Sequence, residues 1–273
     1  MSDEDPRQAS AGELVVSVLE SEEEDGKERR RALGRLAVRL AGSARAAGAK
    51  SVAGGRWLAD VLADDVAPRI TVRDAATLRA HHPGLDTEER AQTLIRTAAA
   101  TTTAVGAAGG AAAAVKMTAP PLLLTAPALL TAETLTVAAV EVKLLAELHE
   151  NYGSPAAGGS VQRTTGYVVS WVHRRGLDKL DEDLLGAALS VTARTALRNR
   201  LMKLMGRHLS TFGPYLTGAM AGGAINRVGT KRLGEAVCGD LRDGGAAHDG
   251  AASLSTGVAA ANSTGYLPTR TRP

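Results

Sequence analysis

Between Arg96 and Glu133 the chain carries a single charged residue, Lys116. No other feature limits its fold as strongly, because so long an uncharged stretch has to be covered by other apolar surface or by lipid. Residues 98–115 are ten Ala, three Thr, three Gly and two Val. Residues 117–132 hold larger apolar side chains but also Pro120, Pro121 and Pro127. A membrane-spanning helix wants about 20 strongly apolar residues. The first half is long enough but weak, since Ala and Gly gain little from hydrocarbon. The second half is short and interrupted by prolines. The expectation is a buried pair of helices in a helical core. A membrane-embedded or re-entrant hairpin and a reversibly inserting surface hairpin are the alternatives.

The rest of the chain reads as helical too. No run alternates with period two, and β-branched and aromatic residues are sparse. Residues 13–20 open the fold as a short helix. From Lys27, the positions Leu33, Leu36, Ala37, Leu40, Ala44 and Ala47 share one helix face, with arginines opposite. Gly54 and Gly55 interrupt before Trp57, Leu58, Val61 and Leu62, and Pro68 ends that segment. Residues 71–74 resemble a capping box before a short helix that stops at Pro83-Gly84. Asp86 with Glu89 caps the next helix, which runs to about Val115. Another runs from Thr131 to a Gly153 C-cap. Residues 161–175, 181–209 and about 215–241 complete the set. The fold class is all-α: one domain of about seven helices over residues 12–243, with an Ala/Gly-rich apolar pair at its centre. Residues 1–11 and the Gly/Ala/Ser/Thr/Pro-rich 244–273 read as disordered.

The net charge of +3 says little, but its distribution is uneven. Residues 20–25 are acidic. Residues 27–45 then carry seven cations against Glu28 alone. Residues 184–234 hold eight cations and no acid, with Arg200, Lys203 and Arg207 expected on one basic helix face. Such stretches attract phosphate, on lipid or nucleic acid, unless acidic helices elsewhere neutralise them. Aromatics number seven, too few for a base-stacking platform. A single cysteine, Cys238, excludes an internal disulfide framework and a multi-cysteine zinc site; it reads as a small buried hydrophobe. The acidic start MSDEDPRQAS is unlike a secretory signal, so the expected location is the cytoplasm, in solution or against a membrane.

Catalytic motifs are missing. Gly26-Lys27 is followed by Glu28, not by the Ser or Thr of a phosphate loop. His149-Glu150 begins like a zincin motif, but Gly153 stands where the second imidazole is needed. His81 and His82 diverge before a turn. Glu133 and Glu141 lie two turns apart on one helix; a buried carboxylate pair serves either as acid–base chemistry or as structural ion pairing. No catalytic residue, cofactor or metal set follows from the sequence.

Small residues carry the remaining signal. Gly218, Gly222 and Gly229 form a stripe on the last helix, and Gly106 and Gly110 repeat the spacing in the apolar segment. Each interior helical glycine costs about 1 kcal/mol relative to alanine. A row of them therefore points to close helix packing, here of the last helix on residues 98–115.

Three pieces together resemble a known group. These are the Ala/Gly region with its Pro-rich sequel, the helix 133–153 ending in Tyr152-Gly153, and Phe212-Gly213-Pro214 leading to Asn226 with Thr230–Gly234 after it. They are similar to a group of actinobacterial helical proteins and, more distantly, to the EcsC family, over about residues 70–240. The resemblance implies a helical, membrane-proximal protein and transfers no catalytic residue. The leading expectation is a non-enzymatic membrane-proximal or scaffold-like protein, whose partners are an anionic membrane surface, another protein or a second copy. Nucleic-acid binding through the basic helices, and a ligand or enzyme site in the apolar core, are the alternatives.

Overall fold

The computed structural model describes residues 9–20, 26–48, 56–117, 126–156, 163, 164, 166–168, 170, 171, 198, 201 and 223–243. Among these the fold is all-α, with no strand. Helix α1 spans Ala11–Glu20, α2 Gly26–Ala47, and α3 Arg56–Asp60. Helix α3 widens into a π-helical turn over Val61–Val66 and tightens to a 3-10 turn over Ala67–Arg69. Pro68, which has no N–H for the helical ladder, sits in that last turn. Helix α4 is Ala75–His81, α5 is Thr87–Met117 and α6 is Ala126–Asn151. Residues 223–243 form α7.

Local chemistry sets several of the boundaries. Asp86 accepts from the Glu89 amide at 2.8 Å while Glu89 accepts from the Asp86 amide at 3.1 Å, a reciprocal cap on α5. Ser10 and Glu13 do the same for α1, which the sequence reading passed over. At α4 the cap is Asp74 itself, accepting from the Thr77 amide at 2.7 Å, so the helix starts later than a box beginning at Thr71 implies. Gly153 closes α6 in the left-handed region at φ 70°, where a side chain would be strained.

The centre of the fold is α6. Every residue from Leu129 to Asn151 is buried except Lys143 and His149, which are half-buried. A helix covered on all sides has no solvent face and hence no amphipathic stripe. Helices α1, α2, α4 and α5 and the π-helical turn of Val61–Val66 all pack on it. α5 lies antiparallel to it. At one end Asn151 bonds the Thr87 carbonyl and the Arg90 guanidinium, and at the other Val105 and Ala108 pack with Val137. α1 reaches that second end with its C-terminal half, where Val18 joins the Val105–Val137 cluster, while its first turn meets Asp65 through Gly12. α2 therefore begins at the same end, where its Ala32 and Leu33 complete the cluster.

Helix α7 crosses the α5–α6 pair through a seam of small and polar residues. A Cβ added at Gly223 would stand 2.9 Å from the Thr103 carbonyl oxygen, and one at Gly234 2.5 Å from Ile95 Cγ1. Between them lie buried Asn226, Thr230 and Leu233. Backbone oxygen cannot step aside, so Gly223→Ala is expected to cost about 1–3 kcal/mol by overpacking. Helix propensity alone would have gained up to about 1 kcal/mol. Chemical denaturation decides the sign, and a stabilised variant would show that the approach is not tight.

Candidate functional site

Four buried carboxylates stand along α6: Glu133, Glu141, Glu147 and Glu150. Burying a carboxylate is costly unless hydrogen bonds or charges meet it, so their partners define the site.

Glu133 and Glu141 serve the α5–α6–α7 contact. Asn226 of α7 donates through Nδ2 to Glu133 Oε1 at 3.2 Å and lies 3.4 Å from the Thr102 carbonyl. Thr230, one turn on, donates to Glu141 Oε1 at 3.2 Å and shares a hydroxyl contact of 3.1 Å with Thr102. Trp171 closes the other side, donating from Nε1 to Glu141 Oε2 at 2.9 Å. All six side chains are buried. Burial pushes the Glu133 carboxyl up to about 7, against the opposing hydrogen bond from Asn226.

Glu147 and Glu150 sit at the base of the hairpin. Arg73 grips Glu147 with both forks, Nε and Nη2 each at 2.8 Å from a carboxylate oxygen. Lys143 adds a third contact at 2.9 Å and also reaches the Thr71 carbonyl. Burial drives the Glu147 carboxyl up, but the Arg73 hydrogen bonds and the Lys143 and Arg73 charges outweigh it and hold it below its ordinary value. Glu150 pairs with Arg163 at 3.3 Å. Shallow clefts of about 320 and 480 Å³ flank Arg73, the first reaching Lys143 and Glu147, the second Glu150, Arg163 and Tyr167.

These groups hold helices together. The carboxylates are engaged by Asn, Thr, Trp, Arg and Lys donors. Cys238 is fully buried, and burial raises its thiol above the ordinary value, against the Tyr152 hydrogen bond. Its neighbour Arg242 bonds the Cys238 carbonyl. Burial, with the Arg73 charge, lowers the pKa of His82, while His81 is exposed. Among the described residues no group of three His, Cys, Asp or Glu could hold a metal ion.

Gly106 is buried within α5, and Gly110 lies further along the same helix. Gly229 is half-buried on α7. Gly218, Gly222, Arg200, Lys203 and Arg207 lie outside the described residues. On α7 the glycines in close approach are Gly223 and Gly234. The sequence reading noticed Asn226, Glu133 and Glu141 separately but did not connect them through Thr102, Thr230 and Trp171. The signal was present in the run 223, 226, 230, 234, whose steps of three, four and four follow one helix face. Compared with known protein families, curated proteins and solved structures, the chain matches none.

Proposed function

We propose that this chain is a non-enzymatic helical protein that works against a membrane surface, touching it with the distal end of the α5–α6 hairpin. The observation that carries this reading is the gradient of charge along the hairpin. Its base holds Glu88, Glu89, Arg90, Arg96, Lys143, Glu147 and Glu150, tied across by Asn151 and by Tyr152 donating to Glu88 at 2.6 Å. The distal half carries Lys116 alone up to buried Glu133, and the residues joining the two helices include Leu122, Leu123 and Leu124. No helix among the described residues is long and apolar enough to cross a membrane. The reading is therefore surface contact by a braced apolar end. The buried carboxylates support the non-enzymatic part, since each is engaged by protein donors, Glu147 by Arg73 of the segment before α4 and by Lys143.

Co-flotation with phosphatidylcholine–phosphatidylserine vesicles at low salt tests it. The wild-type chain should float. Replacing Leu122, Leu123 and Leu124 together by Asp should reduce partitioning at least tenfold, since each leucine side chain taken out of water is worth about 1.5–3 kcal/mol. A wild-type chain that stays in the dense fraction would refute the reading.

A further inference from the structure

Helix α2 presents a face that nothing else described in the fold uses. Its apolar side, Ala32, Leu33, Leu36, Ala37 and Leu40, is buried. Its outer side carries Lys27, Arg30, Arg31, Arg35, Arg39 and Arg45, all exposed. Among the described residues none of the six has a hydrogen-bond or ion-pair partner. The face is bare: a Cβ added at Gly34 or Gly42 would meet nothing within 4 Å. Like charges four apart, as in Lys27–Arg31, Arg31–Arg35 and Arg35–Arg39, destabilise a helix by a few tenths of a kcal/mol each. Only one acid, exposed Glu28, lies on the helix to offset them.

From this we infer that the arginine face of α2 is a docking surface for the phosphate backbone of a nucleic-acid duplex. The geometry favours a duplex over the alternatives. A helix that lies in a membrane surface needs an apolar face to insert, and the apolar face of α2 is spent on the core; Val38 is its one exposed large hydrophobe. Single-strand binders stack bases on aromatic rings, and α2 has none. What remains is a row of guanidiniums, which pair with phosphate oxygens in a planar, two-pronged geometry. From Lys27 to Arg45 the row extends about 27 Å at 1.5 Å per residue. Its far part, from Arg39 to Arg45, lies about 16 Å or more along the helix axis from Glu28, well beyond one Debye length of about 8 Å at physiological salt. Contact of this kind reads no sequence and depends steeply on salt.

The test is fluorescence anisotropy of a labelled 20-base-pair DNA with the full chain at 50 and 200 mM salt. Engagement of about four phosphates should weaken binding about a hundredfold between the two salts. Arg31→Ala, Arg35→Ala, Arg39→Ala and Arg45→Ala combined should weaken binding at 50 mM at least tenfold and flatten the salt dependence. All four sites are exposed and alanine favours helix, so the variant should fold, which circular dichroism verifies. Arg227→Ala with Arg232→Ala, exposed on α7, should leave affinity unchanged. The inference is overturned by no binding at 50 mM, or by equal binding of the quadruple variant. It is also overturned if phosphatidylserine vesicles, and not the duplex, depend on these arginines. Membrane contact through the leucines is scored separately by the Asp variants, so either reading can fail alone.

Discussion

Glu147→Ala is expected to destabilise the protein by about 3 kcal/mol or more, among the largest effects of any single substitution outside the apolar core. The Glu147 side chain is 4% exposed and receives both forks of Arg73 and the Lys143 ammonium. Removing one partner of a buried pair typically costs about 3–5 kcal/mol, because the other charge is left without compensation. Here Arg73 and Lys143 are each 27% exposed and border a cleft, so water reaches them and the cost falls toward the lower end. Glu147→Gln should cost less, since the amide oxygen still accepts from Arg73. The native pair also has a pH signature. Its folded-state pKa lies below the ordinary carboxylate value, so its contribution is complete above about pH 4.5 and is lost as pH falls through the depressed value. Urea denaturation of wild type and both variants at pH 6 measures the order. An alanine variant within about 0.5 kcal/mol of wild type would show that Arg73 and Lys143 hold the loop without Glu147.

The same residues show what a sequence discloses. The reciprocal cap at Asp86 and Glu89 and the C-cap at Gly153 were legible because each is decided within a few residues. The burial of Ala98, Ala99, Thr102, Val105 and Ala108, and of residues 129–132, was legible from the missing charge. Other features depend on what lies across the fold. Glu133 and Glu141 stood out as a candidate buried pair, but their Asn, Thr and Trp partners did not, and nothing local announces Glu147 as buried or α6 as enclosed on every side. The α7 seam depends on distant partners in the same way. Gly223 meets α5 at the carbonyl of Thr103, and Asn226 and Thr230 reach Glu133 and Glu141, all more than 80 residues away in sequence. Arg73 was missed as well, since its partner Glu147 lies 74 positions on.

Glu133 gives the second large effect, with the opposite sign. Its carboxyl is 6% exposed, and burial raises its pKa to about 7 from an ordinary value of 4.5. The unfolded chain releases this proton near 4.5 and the folded chain holds it to about 7. Between those values the folded state binds more protons, so stability must fall as pH rises. At 1.36 kcal/mol per pKa unit the full loss is about 3 kcal/mol by pH 8. Glu147 loses its contribution only at more acidic pH, so the two groups together place maximum stability near pH 5. Glu133→Gln keeps an oxygen for the Asn226 amide and removes the ionisation. It should match wild type near pH 5, exceed it by up to about 3 kcal/mol at pH 8, and flatten the profile between. Glu133→Ala discriminates further: it also escapes the charge but leaves Asn226 without that acceptor beside the Thr102 carbonyl, so it should gain less than Gln at pH 8 and lose at pH 5. Urea denaturation of the three chains at pH 5 and pH 8 is sufficient. A wild-type stability that is flat or rising across that interval, with Gln no better at pH 8, would mean that Glu133 ionises at its ordinary pKa and that α7 is held by packing at Gly223 and Gly234 without an electrostatic cost beneath it.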